Sequence, residues 1–147
     1  PHRERRLFRL GAPHIAKMCT KPRLDHLTIL YTDRAASEAF YGALLPLIGF
    51  ANPKPGIWTD GDGFWLQFMK AKEGTRPYER YGAGLNHWVL GMPSAESVHA
   101  LRDALIEAGL EPQPVQDLDG AQALLLPDPY GLRIELTWYP PGVDVVG

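Results

Sequence analysis

The stretch Leu24-Asp25-His26-Leu27-Thr28 decides the fold of this chain, because its opening phrase returns further along as Leu85-Asn86-His87. Each phrase lies in a short apolar stretch, Leu24–Tyr31 in the first copy and Leu85–Gly91 in the second. A helix-capping residue follows each stretch, and each helical pattern ends at a glycine followed by an apolar residue. The pattern therefore predicts two copies of one βα unit, with a histidine on the first strand of each.

Each copy continues with an amphipathic helix and then a run of strands. The helices are predicted over about 35–48 and 95–108, where Asp33 and Ser94 cap them and apolar residues recur at helical spacing. The strands that follow are predicted at Ile57–Asp60 and Phe64–Met69 in the first copy, and at Leu110–Gln116, Ala121–Leu126 and Gly131–Trp138 in the second. Each copy is predicted to be a βαβββ module, and one module is too small to bury a core well, so the two should pack together.

The modules predict an α+β protein with five segments. These are a basic N-terminal arm, a first βαβββ module, a linker, a second βαβββ module and a C-terminal tail, at 1–23, 24–70, 71–83, 84–139 and 140–147. The linker is polar and contains glycine, as expected between two packed units.

The composition excludes several classes of function. The 147 residues carry 15 Lys and Arg against 17 Asp and Glu, a net charge of −2 that lacks the basic footprint of a nucleic-acid-binding protein. No apolar run approaches the ~20 residues that span a membrane. Cys19 is the only cysteine, which excludes an internal disulfide and cysteine-based zinc clusters and favours a reducing cytoplasm.

Side chains that could carry chemistry occupy matching strand positions in the two copies. Alternation along the last strand places Arg133 and Glu135 on one face, and alignment of Phe64–Phe68 with Leu132–Leu136 puts Gln67 opposite Glu135. The pattern is then His26 and Gln67 in one module, and His87 and Glu135 in the other. Two imidazoles and a carboxylate are a common ligand set for a divalent metal, and such a site is open when water or substrate fills the remaining positions. A single strand histidine is more often structural, so the equivalent placement of two carries the prediction.

Other residues of the chain have either a functional or a structural explanation. Gln67 either binds a metal through its carbonyl oxygen or orients water or substrate. Trp65 shares a strand face with Gln67 and is a candidate to line the cleft. Arg133 either meets an anionic substrate or forms a salt bridge at the rim. Trp88 falls on the opposite face from His87 and is predicted in the core, and His99 is predicted on the solvent face of the second helix.

These residues resemble the vicinal oxygen chelate superfamily, which includes glyoxalase I, fosfomycin-resistance thiol transferases, bleomycin-binding proteins and extradiol dioxygenases. The resemblance covers about Leu24–Tyr139 and is most similar to short glyoxalase-like bacterial members. It is carried by four motifs: Leu24-Asp25-His26-Leu27-Thr28, the helix Ala39-Phe40-Tyr41 to Gly49-Phe50, Gly84-Leu85-Asn86-His87, and Asp128-Pro129-Tyr130-Gly131-Leu132-Arg133-Ile134-Glu135-Leu136.

The resemblance implies a cupped mixed sheet around a metal, with the helices on the outer face. It implies His26, His87 and Glu135 as metal ligands, Gln67 as a frequently used fourth ligand, and Thr28 as a substrate contact. The ion would be Zn, Ni, Co, Mn or Fe, and it would act as a Lewis acid on a small-molecule substrate that chelates it through adjacent oxygens. Members commonly form homodimers, and some build each site from modules of two chains.

The resemblance therefore implies a metal-dependent glyoxalase-like lyase or isomerase, with Glu135 as the catalytic residue. The chain departs from the glyoxalase I pattern at Gln67, because those enzymes often have a glutamate there and a neutral amide cannot act as a general base. Two alternatives stay open. One is a metal-independent drug- or metabolite-binding resistance protein, and the other is a fosfomycin-type thiol transferase. For a dioxygenase, the sequence offers no convincing second acid or base beside the ligand set.

Overall fold

The computed structural model describes residues 21–143. The first module consists of β1 (His26–Tyr31), α1 (Arg34–Leu47), β2 (Ala51–Lys54), β3 (Ile57–Thr59) and β4 (Trp65–Lys70). The second consists of β5 (His87–Gly91), α2 (Ala95–Glu107), β6 (Gln116–Leu118), β7 (Ala121–Pro127) and β8 (Arg133–Trp138). The predicted α+β fold of two tandem βαβββ modules is confirmed. The basic arm up to residue 20 and the tail from residue 144 lie outside the described residues. Within residues 21–143, no helix is long and apolar enough to cross a membrane.

The two modules have the same sheet topology. Each forms a four-stranded mixed sheet, in the order β1-β4-β3-β2 or β5-β8-β7-β6. The first and last strands of each module pair in parallel, and the remaining neighbours pair antiparallel. His26 pairs with Trp65 in one sheet, and His87 pairs with Arg133 in the other. Gln67 and Glu135 therefore occupy equivalent positions, as the alignment of the two copies predicted.

The strand predicted at Leu110–Gln116 is wrong. The chain is irregular up to residue 115, and β6 begins only at Gln116. Pro112 and Pro114 explain the difference, because neither has an N–H to donate to a strand ladder. The turn that follows β6 is a two-residue hairpin turn. It consists of Asp119-Gly120, with φ of 53° and 93°, and a pair of positive φ angles is typical of a two-residue hairpin.

One apolar core runs through both modules. It is built from the helices and from the sheet faces that they cover, and its buried members include Phe40, Leu44, Leu66, Trp88, Val98, Leu105, Leu124, Ile134 and Leu136. The helices also contact each other, so the cores of the two modules are continuous. Trp88 is buried as predicted, and His99 is exposed. The side chains of the opposite sheet faces are left outside this core.

Two tyrosines join the modules through hydrogen bonds. The Tyr41 hydroxyl on α1 donates to Asp128 Oδ2 at 2.7 Å, and both side chains are buried. The other oxygen of Asp128 accepts from the backbone N–H groups of Tyr130 and Leu132, at 2.8 and 2.9 Å. The Tyr130 hydroxyl donates to the carbonyl of Asp33 and accepts from its N–H, so it meets the residue that caps α1. The turn between β7 and β8 thus holds the first helix at its cap and near its middle.

We expect Tyr41→Phe to destabilise the protein and to change how its stability depends on pH. Burial raises the pKa of the Asp128 carboxyl, and the hydrogen bond from Tyr41 opposes that rise. Because the folded-state pKa lies above the unfolded-state pKa, protonation of Asp128 contributes to stability below the unfolded-state pKa. This contribution is lost as the pH rises through the folded-state pKa. The substitution raises this pKa further, so the loss should extend to higher pH. At pH 7 the substitution leaves Oδ2 of the carboxylate without its donor, and the free energy of unfolding measured by urea denaturation should fall by about 1–3 kcal/mol.

Tyr130→Phe is the matched control, because it removes a hydrogen bond between the modules without affecting a buried charge. We expect it to cost about 0.5–1.5 kcal/mol and to leave the pH dependence of stability unchanged. Equal pH profiles for the two variants would contradict the role given to Asp128.

Candidate functional site

His87 and Glu135 lie side by side at the start of the second sheet. His87 is the first residue of β5, and Glu135 is the third residue of the adjacent strand β8. His87 Nε2 is 3.4 Å from Glu135 Oε2, which is longer than a good hydrogen bond. Two ligands of one ion at bond lengths of ~2.0–2.2 Å and a tetrahedral angle are separated by about 3.4 Å. The spacing of these two atoms therefore fits a pair of metal ligands.

The Glu135 carboxylate is held in place by its neighbours. The Thr137 hydroxyl donates to Oε1 at 2.6 Å, and the Glu135 side chain is only 14% exposed. Leu125, which pairs with Glu135 across the strands, is buried. One carboxylate oxygen is thus occupied by a hydroxyl and the other faces His87, in surroundings that strengthen its electrostatic interactions.

Asn86 orients the imidazole of His87. The Asn86 Nδ2 group donates to the carbonyl of Arg80 in the linker at 2.9 Å, which fixes the amide so that Oδ1 lies 2.7 Å from His87 Nδ1. An amide oxygen only accepts, so His87 must carry its proton on Nδ1. In the neutral imidazole, Nε2 then has a free electron pair on the side of Glu135, as a metal ligand requires.

Asp25 does the same for His26 in the first module. Asp25 Oδ2 lies 2.7 Å from His26 Nδ1, so the carboxylate accepts the Nδ1 proton and leaves Nε2 unprotonated. The sequence analysis assigned no role to Asp25 or Asn86. The signal was present in the repeated phrase itself, because both histidines follow a short residue with a side-chain oxygen.

The other candidate residues share these strand faces. Gln67 Oε1 accepts from the Thr28 hydroxyl at 3.2 Å, across the register between β1 and β4. Trp65 pairs with His26 and is 39% exposed, and Arg133 pairs with His87. All four therefore lie on the side of their sheet that carries the histidine, away from the helices.

Within each module the two candidate ligands share one face of the sheet. We name His26 with Gln67 the first half-site, and His87 with Glu135 the second half-site. Among residues 21–143, no three His, Cys, Asp or Glu side chains converge as a metal site. The His26 side chain is 53% exposed, and its partner in the structure is Asp25. His26 and His87 are thus both exposed, whereas Glu135 is largely buried on its sheet face.

Solved structures share the fold of this chain. No protein-family model and no curated protein matches its sequence. A glyoxylase/bleomycin resistance protein/dioxygenase domain from Frankia sp. EAN1pec superposes with a TM-score of 0.69 at 18% identity, covering 84% of this chain and 96% of that one. A glyoxalase/bleomycin resistance protein/dioxygenase from Nocardioides gives 0.65 at 20% identity, covering 93% and 99%.

A glyoxalase/dioxygenase from Nostoc punctiforme gives a TM-score of 0.63 at 16% identity, covering 80% of this chain and 91% of that one. At these identities the likeness is one of fold. The chain has the fold of the glyoxalase/bleomycin resistance/dioxygenase proteins, as its resemblance to the vicinal oxygen chelate superfamily implied.

The hydrogen bonds of the histidines lead to a test of their tautomers. At about pH 8.5, where imidazoles are neutral, we expect His26 and His87 to carry their proton on Nδ1. His99 is an internal control, because its Nε2 lies 3.2 Å from the oxygen of Gln122, whose amide nitrogen donates to Asp117. We expect His99 to carry its proton on Nε2. Long-range ¹⁵N–¹H NMR spectra distinguish the tautomers, and an Nε2 proton on His26 or His87 would contradict the proposed orientation.

Proposed function

We propose that this protein is a metal-dependent glyoxalase-like lyase or isomerase that acts on a small oxygen-rich substrate. The observation that carries the proposal is the pair of atoms His87 Nε2 and Glu135 Oε2, 3.4 Å apart with the imidazole oriented by Asn86. The equivalent orientation of His26 by Asp25 supports it, since it leaves Nε2 of the second imidazole available to a ligand as well.

We propose further that the metal site is completed in a homodimer, with the second half-site of one chain facing the first half-site of another. The surroundings of the first half-site support this arrangement. Leu30, Trp65 and Met69 share its sheet face and are 53%, 39% and 47% exposed. Contiguous exposed apolar side chains around a polar centre are typical of an interaction surface. A second chain placed there would bury them and supply His87 and Glu135 to His26.

The ligands of a divalent ion would be His87 and Glu135 from one chain and His26 from the other, with Gln67 at a fourth position. When bound, the ion would polarise adjacent oxygens of the substrate and stabilise the negative charge that develops on them. Two imidazoles and a carboxylate suit Zn, Ni, Co, Mn or Fe.

The chain's own residues divide the remaining tasks. Glu135 is the only carboxylate in either half-site, so it is the residue placed to move a proton to or from the substrate. The Thr137 hydroxyl on Oε1 keeps this carboxylate in one orientation while Oε2 stays available. Arg133 lies next to His87 across the strands, where its charge suits an anionic group of the substrate. Thr28 and Trp65 flank Gln67 and His26 and would contact the rest of the substrate.

A mixing experiment tests both the metal site and its sharing between chains. His26→Ala and Glu135→Ala should each abolish stoichiometric binding of Co²⁺, measured by its visible absorption. When the two variants are mixed and allowed to exchange subunits, a heterodimer has one site with both substitutions and one site with neither. We expect the mixture to recover Co²⁺ binding. Each variant alone, taken through the same exchange procedure, serves as the control.

Failure to recover binding would contradict the shared site if the wild-type protein does bind Co²⁺. Absence of Co²⁺ binding by the wild-type protein would overturn the metal site as a whole.

Gln67 and Glu135 should differ in their contribution to metal affinity. Glu135→Gln removes the only negative ligand, and we expect it to weaken Co²⁺ binding by at least 100-fold in a calorimetric titration. Gln67→Ala removes a neutral oxygen, and we expect a loss of about tenfold, the scale of one weaker interaction. Equal losses would show that the two positions act alike, contrary to the distinction made here.

The alternative is a metal-independent binding protein, which the separation of the half-sites and the exposed Trp65 favour. It requires that a small aromatic ligand bind the histidine-bearing face equally well with and without a chelator. Retention of that binding in the double variant His26→Ala/His87→Ala would support it over the metalloenzyme.

A further inference from the structure

A cavity lies on the side of the first sheet opposite to the histidine-bearing face. It has a volume of about 460 Å³ between one face of α1 and the hairpin of β2 and β3. Trp58 on its wall pairs with the buried Leu66, and Phe68 packs on Tyr41 of α1 with ring centroids 4.3 Å apart. Leu66 and Phe68 flank Gln67 on β4, so their side chains lie on the opposite face of the sheet from Gln67. The cavity is therefore distinct from both half-sites.

Aromatic rings and polar side chains both line this cavity. Four rings come from four different elements of the first module: Tyr31, Tyr41, Trp58 and Phe68. Ser37 is a buried polar residue on the wall, at 2% exposure. At the rim, Arg34 pairs with Glu38 at 2.7 Å, and both side chains are more than half exposed. An apolar, aromatic wall with a few polar groups is the usual composition of a small-molecule site.

The cavity is preformed by hydrogen bonds within its hairpin lip. The Asn52 Nδ2 group donates to the carbonyls of Lys54 and Ile57, at 2.9 and 2.8 Å, which closes the turn between β2 and β3. The Gly56 carbonyl accepts from the N–H of Phe68 at 2.8 Å, so the turn is tied to β4. At Gly56 φ is +74°, and an added Cβ would lie 3.1 Å from the Phe68 carbonyl oxygen, so this close approach requires glycine.

We propose that this cavity is a second ligand site that takes a small, planar, uncharged aromatic molecule. The rings supply stacking and edge-to-face contacts, which are worth about 0.5–1.5 kcal/mol each beyond the area they bury. The volume lies within the ~300–1,000 Å³ of sites for small organic ligands. The charged groups at the rim already neutralise each other, so they give no preference for an ionic ligand. A hydroxyl on the ligand would meet the polar groups of Ser37 or Tyr31.

Gly42 allows the cavity to be filled without disturbing the fold. It lies on the cavity-lining face of α1, and an added Cβ there meets nothing within 4 Å. Gly42→Leu should place its side chain in the cavity and raise the helix propensity of α1. Ala39→Leu is the matched control, because Ala39 is an exposed residue of the same helix and does not line the cavity.

The test uses 2-naphthol as the probe, with affinity measured by calorimetry and location by amide NMR shifts. We expect sub-millimolar binding to the wild-type protein and to Ala39→Leu, and at least tenfold weaker binding to Gly42→Leu. Circular dichroism establishes that each variant folds, and Gly42→Ala is a smaller filling change should Gly42→Leu fail. Binding should persist in His26→Ala and His87→Ala.

Equal affinity in wild type and Gly42→Leu would overturn the proposal, as would loss of binding in the histidine variants. Absence of binding by the wild-type protein at about 1 mM, the weak end of specific affinities, would also overturn it. None of these outcomes depends on a metal, so this site and the proposed function can fail separately.

Discussion

The arrangement of the two modules depends on a buried hydrogen bond, from the Tyr41 hydroxyl to the Asp128 carboxylate. A carboxylate that leaves water must find donors, and those of Asp128 come from α1 of the first module and from its own turn in the second. Only a packing that brings α1 to that turn satisfies all of them. Because the helices of both modules then meet in one core, the histidine-bearing faces are left accessible, with His26 and His87 each exposed. This contact thus ties α1 of the first module to the turn between β7 and β8 of the second.

Much of the fold could be predicted because local chemistry and global packing agree. Asp33 and Ser94 cap the helices that follow them, and alternation places Trp88 in the core and His87 outside it. The two errors in the strand predictions, before β6 and at β2, both involve proline. Pro112 and Pro114 prevent the predicted strand before β6, while β2 contains Pro53 and is fully exposed, so no apolar pattern marks it. An edge strand of this kind is defined by its pairing with β3, which local sequence does not reveal.

The strand positions of the candidate ligands were predictable, and the relation between the two modules was not. Internal repetition was enough to place His26 with Gln67 and His87 with Glu135, because the register of a parallel strand pair follows from the hydrophobic pattern. The distance between the two pairs depends on how the modules pack, and that packing is set by Asp128 and Tyr130. Both residues stand in the motif that carries the family resemblance, yet their contacts are with α1 and its cap and not with the site. The internal repeat of the sequence does not reveal which element Asp128 and Tyr130 contact.

The departures from repetition lie in the charges. In the first module the residue that precedes the histidine is Asp25, and the candidate ligand on the last strand is Gln67. In the second module these positions hold Asn86 and Glu135, so each module has one carboxylate and one amide in exchanged places. A site that combined the halves would have one carboxylate facing the ion and one behind an imidazole, where it would hold the ring of His26 in one tautomer. Two negative charges would balance a divalent ion while only Glu135 could exchange a proton with substrate. In the proposed site the exchange would therefore keep two negative charges near the ion and make the chemistry of the two sides unequal.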